Sequence, residues 1–231
     1  MQDQFQIHSA TAGQDTALQQ NRVLRNTYLL LGVSMAPTIL GALIGVQTGF
    51  GLLPGRPFLS FLVFLGIAFA FFWGIERTKN SGWGVALLLG FTFFMGLMLS
   101  GILRAALGFS NGGTLIAMAA GGTGAIFLVL SSIAATTKRD FSGIGKFLFV
   151  GLILALVAMV ANIFFMIPAL SLAISGICIL IFSGYILYDI NRIVHGGETN
   201  YITATLAVYL DIYNIFVHLL NILMAFSGER D

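Results

Sequence analysis

The sequence predicts an all-α fold, a polytopic membrane bundle of seven transmembrane helices. Three observations predict it. Hydrophobic residues make up 58% of the chain and charged residues 9%, against about 25% charged in an ordinary soluble domain. Seven apolar stretches, at 27–50, 57–75, 82–103, 113–137, 144–167, 169–190 and 202–226, each approach or exceed the roughly 20 residues that cross about 30 Å of hydrocarbon. The runs are continuous rather than alternating, which excludes a transmembrane β-barrel. Together they use almost everything after residue 26, so residues 27–228 form one membrane domain with no room for a second.

The first three stretches are rich in Gly and Phe. The first holds Pro37, a candidate kink, and a Gly41/Gly45 pair at the GxxxG spacing that lets helices approach closely. In the fourth, Gly121, Gly122 and Gly124 are read as close-packing positions. Pro168 divides the fifth from the sixth, and so short a connection makes those helices antiparallel neighbours. Cys178, the single cysteine, lies in the sixth and reads as a buried structural thiol. Residues 1–26 are polar and Gln-rich and are expected to form a disordered cytoplasmic tail. They do not read as a signal peptide, because no apolar segment follows a basic start.

Charge distribution orients the chain. With seven spans, Arg22, Arg25, Arg77, Lys79, Lys138, Arg139, Lys146 and Arg192 fall on one side, and Arg56, Arg104 and Arg230 on the other. The positive-inside rule then places the N-terminus in the cytoplasm. If the last stretch only re-enters, the C-terminus joins it there; charge counting fixes the first six spans and leaves the seventh open.

No enzyme signature is present: there is no HExxH, GxSxG, phosphate-binding loop or cysteine cluster, so the chain is read as a non-enzyme. Nothing points to a resident cofactor or a nucleic-acid partner. His8, His195 and His218 are scattered over tail, loop and last span. A metal site from His195 and His218 is the weaker reading beside a loop histidine and a packing histidine.

The last stretch carries the chemistry. Asp211 is its only acid, and Ile202 to Phe226 contains no Lys or Arg. A carboxylate at membrane depth costs several kcal/mol unless it is protonated, paired or facing water. Asp211, Asn214, His218 and Asn221 follow at steps of three, four and three. At about 100° per residue they share an arc of roughly 80°, which Ala204, Ala207 and Ala225 extend with small side chains. This stripe must face other helices or a water-filled cavity. Interhelical hydrogen bonding accounts well for Asn214 and Asn221 but poorly for an acid. The best partner for Asp211 is Asp189, in Tyr185-Ile-Leu-Tyr-Asp189-Ile-Asn191-Arg192 near the cytoplasmic end of the preceding helix. Asp211 lies about ten residues, or roughly 15 Å, into its own helix, so both acids fall in the cytoplasmic half. Asp189 could instead pair with Arg192 at the helix end. Two carboxylates in contact cannot both ionise cheaply and would share one proton. Doubly ionised, they would repel or attract a hard cation such as Ca²⁺.

Val23-Leu-Arg25-Asn26-Thr-Tyr28, Gly196-Gly197-Glu198-Thr199-Asn200-Tyr201 and Tyr213-Asn214-Ile-Phe216-Val resemble the Bax inhibitor/YccA family from about residue 22 onward, and the Gly-Gly-Glu-Thr-Asn-Tyr loop is similar to its YccA-like branch. The resemblance implies six helices around a central C-terminal one, in a bacterial-type inner membrane. It implies two roles. One is a pH-sensitive Ca²⁺ leak with a diaspartyl latch. Asp189 and Asp211 would be its sensor and its possible Ca²⁺ ligands. Arg77 would be an offset latch partner, and Asn214, His218 and Asn221 would line the pathway. The other role is modulation of the FtsH membrane protease, which would grip residues 1–26. The partners expected are thus the lipid bilayer, Ca²⁺ or protons, and FtsH.

Overall fold

The computed structural model describes residues 2–228, with side chains from residue 18 onward. All seven stretches are helices: α1 (Gln2–Thr48), α2 (Pro57–Thr78), α3 (Gly82–Leu107), α4 (Gly112–Thr136), α5 (Gly145–Phe165), α6 (Pro168–Val194) and α7 (Tyr201–Gly228). Each is long and apolar enough to cross a membrane, with residues 18–48 supplying that part of α1. At 1.5 Å per residue, the 28 residues of α7 span roughly 42 Å. A continuous helix of that length has no need to re-enter.

Residues 18–26, assigned from sequence to the disordered tail, are instead helix. The reason is packing. Val23 is buried and joins the main core cluster, and Leu18, Gln19, Arg22 and Asn26 wall a cavity of about 570 Å³ against Thr199 and Tyr201. The side chains of the earlier residues of that expected tail lie outside the described ones. The helix also runs through Pro37 without a break.

α7 packs against α1, α2, α3, α4 and α6. It is therefore the central helix, but α5 stands outside the ring, reaching the bundle through α6 and α2. The core follows this centre: Ile202, Val208, Tyr209 and Ile215 of α7 are buried against Leu88 and Phe91 of α3 and Ile186 and Ile190 of α6.

The tightest seam joins α1 to α3. A Cβ on Gly41 would stand 2.2 Å from the Phe93 carbonyl oxygen, and one on Gly96 would stand 2.1 Å from the Thr38 carbonyl oxygen. The GxxxG spacing thus does bring two helix backbones together. Of the three α4 glycines read as close-packing positions, only Gly122 is closely packed, with Leu219 at 2.8 Å; Gly121 and Gly124 face open space. The expected antiparallel α5–α6 pair forms across Met166 and Ile167. Met166 ends α5 in a left-handed conformation and Pro168 opens α6 at its first turn.

Candidate functional site

Asp211 is buried at 4% exposure. It sits three turns into α7, on the face turned toward α6. Asp189 lies one turn from the end of α6 and is half-buried. The antiparallel pairing of the two helices brings the two carboxyls close enough to act on each other. Tyr185 lies within electrostatic reach of both acids. It precedes Asp189 by one helical turn, and that i, i+4 spacing was the available signal for it.

Carboxylates only accept hydrogen bonds. Asp211 Oδ2 is buried and has no protein donor among the described residues. The contact with Asp189 becomes a hydrogen bond only when one of the two carboxyls carries a proton.

The basic residues named for this site go elsewhere. Arg77 is exposed, with its guanidinium 4.9 Å from the centre of the Trp73 ring one turn earlier. It forms no ion pair with either acid, which corrects its expected role as latch partner. Arg192 lies near enough to Asp189 to act on it through space. Its guanidinium donates to the Gly197 carbonyl at 3.3 Å, and it meets Glu198 at 3.9 Å and the Tyr188 ring at 5.5 Å.

The polar stripe divides along its length. Asn214 donates to the Leu210 carbonyl of its own helix at 2.8 Å, a bond within α7 rather than between helices. His218 and Asn221 open on a separate cavity of about 340 Å³, shared with Asn162, Ser171 and Ser175. There Asn221 Nδ2 donates to Ser175 Oγ at 2.9 Å, and His218 Nδ1 meets the same oxygen at 3.2 Å. His195 is bonded through Nδ1 to the Asn191 carbonyl at 2.9 Å. It sits beyond the end of α6, while His218 lies 17 residues into α7, roughly 25 Å from its start, so the two do not meet.

No cluster of three or more His, Cys, Asp or Glu exists among the described residues. Resident Ca²⁺ takes six to eight oxygen ligands, which two carboxyls do not supply.

Two asparagines frame the acids from the loop side. Asn191 is buried; its Nδ2 donates to the Arg139 carbonyl at 2.9 Å and its Oδ1 accepts from Phe141 N–H at 2.8 Å. Asn200 caps α7 by accepting from the Ile202 and Thr203 N–H groups, and its Nδ2 donates to the Lys79 carbonyl at 2.9 Å. These bonds tie the α2–α3 and α4–α5 connections to both ends of the α6–α7 loop. Sequence reading gave Asn191 and Asn200 no role. On the opposite face of α7, Tyr209 meets Thr38 Oγ1 at 2.9 Å and Tyr213 donates to the Met95 carbonyl at 3.3 Å. The central helix is held on that side while the acids occupy the other.

These features define a multi-pass helical membrane protein whose central helix carries a buried acid, Asp211, facing α6. The chain belongs to the Bax inhibitor family, since residues 20–228 match the family model described as Inhibitor of apoptosis-promoting Bax1. It is 41% identical over 94% of its length, and 96% of the relative's, to the Escherichia coli protein named Modulator of FtsH protease YccA. A second Escherichia coli relative, equally similar, is named Inner membrane protein YccA. An uncharacterized protein of Neisseria meningitidis serogroup A is 38% identical over 92% of this chain and 94% of its own.

Proposed function

We propose that this protein is a non-catalytic modulator of an FtsH-type protease in the bacterial inner membrane, with its N-terminus in the cytoplasm. The observation that supports this most is near-full-length similarity to the Escherichia coli relative named for that role. The described part of the N-terminal segment adds a physical route: α1 continues past the apolar span as a polar helix and offers a handle on the basic side of the bundle. With the purified chain and the protease in proteoliposomes, degradation of a membrane substrate is expected to slow. Removing residues 2–20 is expected to abolish both the slowing and co-purification. Undiminished inhibition by the shortened chain would contradict the handle, and no inhibition by the full chain would contradict the role.

A second reading, a proton-gated Ca²⁺ leak, is favoured by the Asp189–Asp211 contact. The pair with one proton holds α6 to α7; loss of that proton leaves two like charges in a poorly solvated site and drives the helices apart. Flux should therefore be greater at pH 8 than at pH 6. Asp211→Asn replaces the shared proton by a permanent amide donor and should hold flux low at both. Ca²⁺-loaded proteoliposomes measure this; a flux indifferent to pH and to the substitution would remove the leak reading.

A further inference from the structure

We propose that the cleft between α1 and α4 binds an anionic phospholipid. In this reading the acyl chains lie against α7 and the phosphate meets the basic residues at one end. The inference requires only that the bundle sits in a membrane; it does not depend on the protease or leak readings.

The cleft exists because α1 and α4 both pack on α7 but make no backbone contact with each other. Tyr28 and Phe127 bridge it with rings 6.1 Å apart, edge to face. The remaining space is about 1170 Å³. Along α1 its wall runs from Tyr28 to Val46, roughly 27 Å at the helical rise, nearly the thickness of the hydrocarbon layer. Exposed apolar side chains, including Ile39, Leu43 and Leu128, line its rim. At membrane depth water does not fill such a space stably, whereas lipid chains are continuous with it. An empty cleft would forfeit its dispersion contacts.

The two ends differ, and the difference selects the lipid. One end is apolar, with Val46, Leu107 and Ile116; Arg104 nearby is already committed to the Gly45 and Phe50 carbonyls. The other end carries hydroxyls from Tyr28, Ser131, Ser132 and Thr136. Just beyond it, Arg25 lies one turn before Tyr28, and Lys138 and Arg139 follow the end of α4. All three are exposed and have no carboxylate partner among the described residues. Unpaired cations next to hydroxyls at the interface match a phosphodiester headgroup.

Glycines give clean variants. A Cβ on Gly124 or on Gly32, one on each wall, meets nothing within 4 Å, so a larger side chain there occupies the cleft without striking the fold. Gly66 on α2 is equally open but lies outside it. The test is native mass spectrometry of the delipidated full chain with dioleoyl phosphatidylglycerol or dioleoyl phosphatidylcholine at equal concentration. The wild type is expected to retain the anionic lipid at least about tenfold better, the scale set by several basic side chains at a headgroup. Gly124→Phe should lose retention of both lipids, and Gly66→Phe of neither. The combined Arg25→Gln, Lys138→Gln and Arg139→Gln variant should retain phosphatidylglycerol no better than phosphatidylcholine. If Gly124→Phe fails to give a cooperative melt, Gly32→Phe makes the same test from the other wall. Unchanged retention in a folded cleft-filling variant overturns the site and leaves the cleft to a partner helix. Equal retention of the two lipids by the wild type overturns the anionic assignment.

Discussion

Asp189→Ala is expected to destabilise the bundle by about 3 kcal/mol, and Asp211→Asn by less than about 1 kcal/mol. Removing Asp189 takes away the group that faces Asp211 and leaves a buried carboxyl whose Oδ2 has no other protein donor among the described residues. Changing Asp211 to asparagine keeps shape and volume and supplies a donor toward Asp189 that does not depend on a proton. Thermal unfolding of the two variants in the same detergent at pH 7 measures the difference. Equal losses would mean that the two carboxyls do not depend on each other.

The second large effect concerns the α1–α3 seam. Gly96→Val is expected to cost about 3 kcal/mol or to prevent folding, because the new Cβ would meet the Thr38 carbonyl oxygen at 2.1 Å and Ala42 N at 3.0 Å. Both are backbone atoms, so relief requires the helices to separate, and with them the Tyr209–Thr38 bond that holds the centre of α7. Gly101, five residues along the same helix, faces open space, and Gly101→Ala should change stability by less than about 0.5 kcal/mol. A Gly96→Val protein that melts with the wild type would show that the seam yields more easily than these distances allow.

The spans were legible because hydrophobic runs of membrane length have few other readings. α7, expected at 202–226, occupies Tyr201–Gly228. α6, expected to end at residue 190, continues to Val194, since Asn191 is satisfied by the α4–α5 connection rather than by solvent. The acid pair was legible for a related reason: a lone carboxylate in an apolar helix demands a partner, and few were on offer. Arg77 was not legible, because sequence distance does not say which way a long side chain turns, and Trp73 one turn away captures it. Nor was the α1–α4 cleft. Glycines in the fourth span read equally well as close contact or as empty space, and only the assembled bundle shows that Gly122 is the first and Gly124 the second. Tyr185 and Asn200 carry ordinary residue types at ordinary places, and their roles come from what the fold sets beside them.

The central claim is that Asp189 and Asp211 share one proton between α6 and α7. Infrared spectroscopy of the reconstituted protein at pH 7 tests it most directly, through the carbonyl stretch of a protonated carboxylic acid and its shift in heavy water. One such band per chain is expected in the wild type, and its loss in Asp211→Asn. A wild-type spectrum without the band, or a band that survives unchanged in Asp211→Asn, would contradict it.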